Sequence, residues 1–340
     1  MAEFGKKSVV KNINESNIRR AIREENPFTK TRIAHLTDLS FPTVSRIVDD
    51  MLATGEILRN GVDPTTGGRH AMSYIVNPDF AYYLCIFISK PGTLRTLVRN
   101  THGEKVRDKD YPLKSLYVLV DTIDHVVEEL VDEYPIKALA IGLPFGISKG
   151  RIAFCADFSD PSLKDFPLQE HLEAKFGIRT RVENDMNSMV VGCYNRMIRE
   201  KNDSMVCVNV GRRGLGCGLY LRGHVIRGFH GFAGEMRHLP VSYDATFDSR
   251  LSSNGGATPV EIAQMVAAIT CTVDPRVIVF YKHPGTEDVL EEVKDLCERF
   301  LPKDVIPELV ISDHAQQDFE GGLIHFGKEM LMAGYELVNR

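Results

Sequence analysis

The chain has no pair of cysteines at CxxC spacing; its 7 cysteines lie scattered at Cys85, Cys155, Cys193, Cys207, Cys217, Cys271 and Cys297. An odd, dispersed set argues against a disulfide framework or a zinc ribbon. It reads instead as small buried hydrophobes in a reducing cytoplasm, which is the expected location. Nor is there any run near the roughly 18 uninterrupted apolar residues that a membrane span needs. The first twenty residues, MAEFGKKSVVKNINESNIRR, carry basic side chains with no apolar stretch behind them, so no secretory leader is expected. A strongly basic balance is missing too, the net charge being −5.

What is present is a soluble composition, 43% hydrophobic and 26% charged, over 340 residues, a length that calls for two or three domains. The charge is unevenly spread. Residues 1–36 hold 8 basic against 4 acidic side chains, and residues 1–80 hold 11 against 10, leaving 30 against 36 for the rest. A locally basic head on an acidic body is the distribution that counts for phosphate contacts.

Residues 14–60 read as three short helices. Ile18 and Ile22 sit a turn apart in the first, which Pro27 ends; the second begins near Thr31 with Ile33 and Leu36 inward. After a break at residues 37–40, the third opens at Phe41-Pro42. Val44, Ile47, Val48, Met51 and Leu52 form its apolar stripe, leaving Thr43, Ser45, Arg46, Asp49 and Asp50 outside. Gly55 stops it. Ile57–Arg59 and Ser73–Val76 look like strands around a glycine-rich loop, residues 60–71. Three amphipathic helices alone could serve any protein contact. The helix spacing, the small hydroxyls with Arg46 at the third helix and a wing-like loop tip favour a winged helix-turn-helix on duplex DNA. Its expected DNA-contacting residues are Ser40, Thr43, Ser45, Arg46, Gly68 and Arg69.

From residue 81 the pattern is α/β. Strands are expected at 83–88, 94–98, 104–111 and 137–143, with a helix at 116–134 before the last. A second alternation follows, with strands at 205–210, 218–221, 277–281 and 308–311 and helices at 259–271 and 289–300. Two such halves facing each other make a cleft.

Four segments in order, IGLPFGI (141–147), KFGIRTRVENDMN (175–187), GRRGLGCGL (211–219) and GFAGEMRHLPV (231–241), resemble the ROK family of repressors, open reading frames and sugar kinases, and within it the regulators of the N-acetylglucosamine and xylose repressor type. The resemblance implies a two-lobed actin-like module. It divides the chain into a DNA-binding domain at 1–78, a first lobe at 79–183 completed by a C-terminal helix at 321–340, and a second lobe at 184–320. It further implies a sugar held by Asn184, Asp185, Glu235 and His238. Carboxylates take hydroxyl protons, while an amide and an imidazole satisfy both hydrogen-bonding directions. Singly, Asn-Asp after a strand is often only a turn, and Glu and His three apart only a helix start.

The sequence departs from that family's kinases. Where their first hairpin carries an Asp-x-Gly-Gly-Thr turn for phosphate and metal, this chain has Phe87 at the Asp position and Pro91 in place of an amide donor. The glycine run gains Arg212 and Arg213, and its glycines equally suit a tight strand turn. The cysteine-rich zinc segment expected after the histidine is missing. The expectation is therefore a sugar-responsive DNA-binding regulator, most simply a repressor, with no catalytic residues, no cofactor and no metal, working as a homodimer or higher even oligomer. An active sugar kinase with an added head, or a regulator that binds no sugar, are the alternatives.

Overall fold

The computed structural model describes residues 2–62, 71–154, 161–197, 203–211, 214–242, 245–247, 249, 257–283 and 286–333. The head runs α1 (Ala2–Glu24), β1 (Phe28–Thr29), α2 (Lys30–Thr37), α3 (Phe41–Ala53), β2 (Ile57–Val62) and β3 (Met72–Val76). Its small sheet has the order β1-β3-β2, antiparallel throughout. Ile18, Ile22, Phe28, Ile33, Val44, Ile47, Val48 and Tyr74 form its core. Arg19 clamps Glu56 with both guanidinium arms, at 2.7 and 3.0 Å, tying α1 to the turn after α3.

Two expectations for the head need correction. The first helix starts at Ala2, not near residue 14, because no proline interrupts residues 2–13 even though they lack an apolar stripe and include Gly5. Leu36 is 43% exposed; α2 has eight residues and buries only Ile33.

The body begins with a meander, β4 (Tyr82–Lys90), β5 (Thr93–Asn100) and β6 (Lys105–Pro112), and continues through α4 (Leu119–Glu133) to β7 (Ile136–Leu143). A small hairpin, β8 (Gly146–Ser148) and β9 (Arg151–Phe154), precedes α5 (Leu168–Phe176), β10 (Arg179–Asn184) and α6 (Asp185–Met197). The first large sheet has the order β10-β7-β4-β5-β6, with β7 and β10 parallel to β4. Strand alternation sends Leu84 and Ile86 to one face, against Ile123, Val126 and Val127 of α4. It sends Tyr83, Cys85 and Phe87 to the other.

The second half runs β11 (Met205–Gly211), β12 (Gly214–Leu221), β13 (His224–Val225), β14 (Pro240–Ser242), β15 (Ala245–Thr246), α7 (Pro259–Val273), β16 (Val277–Tyr281), α8 (Thr286–Cys297), β17 (Glu308–Ser312) and α9 (Ala315–Ala333). The second large sheet, β13-β12-β11-β16-β17, repeats the first one's plan. Val206 and Val208 pack on α7 and α8, while Met205 and Cys207 pack on α6. The expected 321–340 helix is α9, which starts earlier; residues 334–340 lie outside those described.

Helices α6 and α9 cross between the two sheets at backbone contact. A Cβ on Gly192 would stand 1.8 Å from the Asp318 carbonyl oxygen, and one on Gly322 the same distance from that of Ser188. Arg196 on α6 grips the buried Asp318 on α9 at 2.7 and 2.8 Å, and the Tyr281 hydroxyl donates to the same carboxylate at 3.1 Å. Asp318 is thereby paired and hydrogen-bonded, the condition for keeping a charge inside.

Candidate functional site

Strand β10 lies parallel to β7 and ends with Asn184 opposite Leu143, so the Glu-Asn-Asp triplet sits at the carboxyl edge of a parallel pair, where α/β proteins place their ligands. Asn184 turns the chain into α6. Its side-chain oxygen accepts the N–H groups of Met186 and Asn187 at 2.9 and 3.2 Å, and its amide donates to the Phe145 carbonyl at 2.9 Å. This is a helix cap, and it leaves one amide hydrogen for another partner.

Asp185 opens α6, with one carboxylate oxygen accepting the Met186 N–H at 2.8 Å. Burial pushes its carboxyl up to about 6; the Met186 hydrogen bond works against this and the Glu235 charge adds to it. Burial likewise raises Glu235, with Arg237 and His238 pulling the other way. The two expected carboxylates, fifty residues apart in sequence, therefore lie within electrostatic reach of each other.

Glycines produce that meeting. A Cβ on Gly218 would come within 2.2 Å of the Met186 carbonyl oxygen, so β12 accepts the first turn of α6 there only as glycine, and one on Gly216 would press within 2.7 Å of the Met186 side chain. Gly231 (φ +73°) lies against the Ile147 carbonyl of β8, and Gly234 (φ +91°) against the Cys217 carbonyl of β12, where a Cβ would stand 2.3 Å from either oxygen. The segment carrying Glu235 thus bridges both halves. His238 is exposed in a 3₁₀ turn, Met236–His238, with its ring 5.3 Å from that of Phe232.

Two residues outside the expected set join this site. Glu183 is buried and paired with Arg227. The triplet motif pointed at Glu183, whereas nothing local in the sequence marked Arg227.

At the expected phosphate corner, Phe87 is fully buried, packed edge-on against Phe319 of α9 with ring centroids 4.8 Å apart. Phe319 also presses on Gly142, the neighbour of Phe87 across the β4–β7 pair, where a Cβ would stand 2.6 Å from the ring. Arg212 and Arg213, which follow β11 in sequence, lie outside the described residues.

On the head, Ser40 precedes α3, and its hydroxyl is 2.9 Å from that of Thr43. Arg46 is exposed beside them. Ser45 is engaged: it accepts from Lys30 at 2.9 Å and donates to Asp49 at 3.2 Å. Lys30 pairs with Asp49 at 2.5 Å and holds its carboxyl below the ordinary range. Lys30, absent from the expected set, thus neutralises an acid on the face of α3. Gly68 and Arg69 lie outside the described residues.

Residues 92–255 match the ROK family. The chain is 25% identical over 255 residues to a putative xylose repressor of Caldicellulosiruptor sp., covering 71% of this chain and 62% of that protein. It is 22% identical over 249 residues to the DNA-binding transcriptional dual regulator NagC of Escherichia coli, covering 71% and 60%. The match therefore spans about three fifths of these relatives' length. A solved ROK family transcriptional regulator, a homologue of the E. coli MLC protein, superposes with a TM-score of 0.66 at 15% identity, covering 96% of this chain and 98% of that one. That likeness shows the α/β fold. Among the described residues no helix is long and apolar enough to cross a membrane.

Proposed function

We propose, from the match of residues 92–255 to the ROK family, that the chain is a sugar-responsive transcriptional repressor whose kinase-like body has lost phosphoryl transfer. One observation carries the reading: an intact carboxylate pair, Asp185 and Glu235, beside a phosphate corner filled by Phe87 and Phe319. The two lie close, since Gly142 under Phe319 precedes Leu143, the strand partner of Asn184. Ionised carboxylates accept hydroxyl protons of a monosaccharide, Asn184 offers its remaining amide hydrogen, and His238 closes the rim. A phosphate needs donors and a metal ligand, and two phenyl rings supply neither. The relatives named as a putative xylose repressor and a DNA-binding transcriptional dual regulator support a sugar effector and a DNA operator.

The head reads as a winged helix-turn-helix, with α3 entering the major groove through Thr43 and Arg46 and the β2–β3 loop serving as the wing. A dimer or higher even oligomer would place two heads on half-sites about 34 Å, or a multiple of it, apart. Sugar held between the lobes would alter the spacing of the heads, and linkage makes the coupling reciprocal.

Titration calorimetry with D-xylose, N-acetyl-D-glucosamine and D-glucose, with and without ATP–Mg²⁺, tests the sugar arm. Saturable binding without turnover is expected, lost in both Asp185→Ala and Glu235→Ala; sugar phosphate formed by the wild type would promote the kinase reading. On duplexes selected from a random pool, Arg46→Ala should weaken binding by about 1–3 kcal/mol, whereas Asp185→Ala should leave DNA affinity intact. Unchanged DNA affinity in Arg46→Ala would remove α3 from the groove.

A further inference from the structure

Glu183 is 2% exposed, and both oxygens of its carboxylate are engaged. One accepts the Asn184 N–H at 3.2 Å and the Asn187 side-chain amide at 2.9 Å. The other accepts two donors of the Arg227 guanidinium, at 2.8 and 2.5 Å. Arg181 stands 3.7 Å away but pairs more closely with Glu329, at 2.9 Å. A single buried carboxylate thus holds the backbone entering α6 on one side and an arginine from 44 residues later on the other.

Arg227 heads the loop that carries Glu235. Its carbonyl accepts the Ala233 N–H at 3.1 Å, closing residues 227–233 into a ring of backbone. Gly231 and Gly234 seat that ring on β8 and β12, and Glu235 follows directly. The two segments of the proposed sugar site therefore meet at Glu183, beside the residues that would contact the ligand.

We infer that Glu183 and Arg227 are the positioning pair of this site, fixing the placement of Glu235 against Asp185 without being sugar contacts. The inference rests on the sugar-binding reading, but the pair's grip on the loop is measurable with no sugar present. A salt bridge that merely stabilised the fold would lower global stability when broken; a positioning pair loosens one loop. Breaking the guanidinium contact leaves the acid near Arg181 and removes the tether of residues 228–238.

The test is hydrogen exchange by mass spectrometry on the full chain without ligand, comparing wild type, Arg227→Gln and Arg227→Lys. In Arg227→Gln, exchange across residues 228–238 should rise about tenfold or more, with β7 and β11 unchanged, and Arg227→Lys, which keeps a charge on the acid, should fall between. Calorimetry with the same three sugars should show Kd raised about tenfold in Arg227→Gln and partly recovered in Arg227→Lys. Exchange in 228–238 that stays unchanged, or that rises equally throughout the body, overturns the positioning role. A wild type that binds none of the sugars overturns the sugar reading while the exchange result still decides the pair. Should Arg227→Gln not fold, Arg227→Lys carries the same decision alone: faster exchange confined to 228–238 supports the role, and any other pattern ends it.

Discussion

The two five-stranded sheets share one plan, an antiparallel meander followed by two parallel strands, yet beside the candidate site they meet the central helices differently. The first presents rings and aliphatics to α9: Tyr83, Phe87, Leu97 and the partner rings Phe319 and Phe326. The second packs Met205, Cys207 and Tyr281 against α6 but leaves Gly216 and Gly218 under Met186 at the helix start. In the first lobe Phe87 and Phe319 fill the corner between β4 and α9; in the second, Gly216 and Gly218 let the start of α6 approach β12, with Asp185 within electrostatic reach of Glu235. The proposed function rests on this contrast, with the carboxylates Asp185 and Glu235 on one side and the Phe87–Phe319 contact on the other.

The largest effect should follow from prying apart the helices that join the lobes. Gly192→Val puts carbon where the Asp318 carbonyl sits, and the crossing cannot yield without moving a helix. A loss of at least about 3 kcal/mol is expected, read as a lowered urea midpoint or insoluble protein. A variant as stable as wild type would mean that the helices pack further apart.

Next in size is Phe87→Ala, which empties the filled corner. Truncating a buried phenylalanine costs about 3–5 kcal/mol, and no ATP-dependent sugar phosphorylation should appear, because a cavity is not a phosphate site. Any gain of turnover would show that the ring alone blocks catalysis.

Asp185→Asn should raise stability, with a pH signature. The folded carboxyl titrates near 6 against an ordinary 3.8, so the folded state holds its proton more tightly than the unfolded chain does. Stability from this group is complete below about pH 4 and is lost as pH rises toward 6. The amide keeps an oxygen for the Met186 N–H, so the variant should gain about 1–2 kcal/mol at pH 7.5 and nothing near pH 4, measured by urea denaturation. A gain of equal size at both pH values would assign the effect elsewhere.

The smallest change is Gly216→Ala. Its added methyl meets the flexible Met186 side chain rather than backbone, so about 1 kcal/mol or less should be lost. Sugar affinity should fall more than stability if the seat of α6 positions Asp185. Equal stability and affinity losses would make the glycine purely a packing residue.

Much of the architecture was legible in sequence because it is periodic. The apolar stripe of α3 and the strands at 83–88, 94–98, 137–143 and 277–281 all stand within a few residues of where the pattern put them. Helices α5 and α6 were not expected. The second is lined by Met186, Asn187, Ser188 and Gly192, whose burial comes from being clasped between sheets, so no polar face betrays it. On the head, Thr43 and Arg46 could be named from hydroxyl and charge, but Lys30 could not: it reaches Asp49 from another helix.

The sequence by itself determined most of the elements, the uneven charge, and the two motif segments with their carboxylates, because these depend on side-chain type and local spacing. Tertiary structure alone decided that Asp185 and Glu235 share a neighbourhood, that Phe87 closes on Phe319, and that Arg227 reaches Glu183. Those outcomes depend on backbone approach distances set by glycines and on partners 44 to 232 residues apart, a range over which composition and periodicity carry no signal.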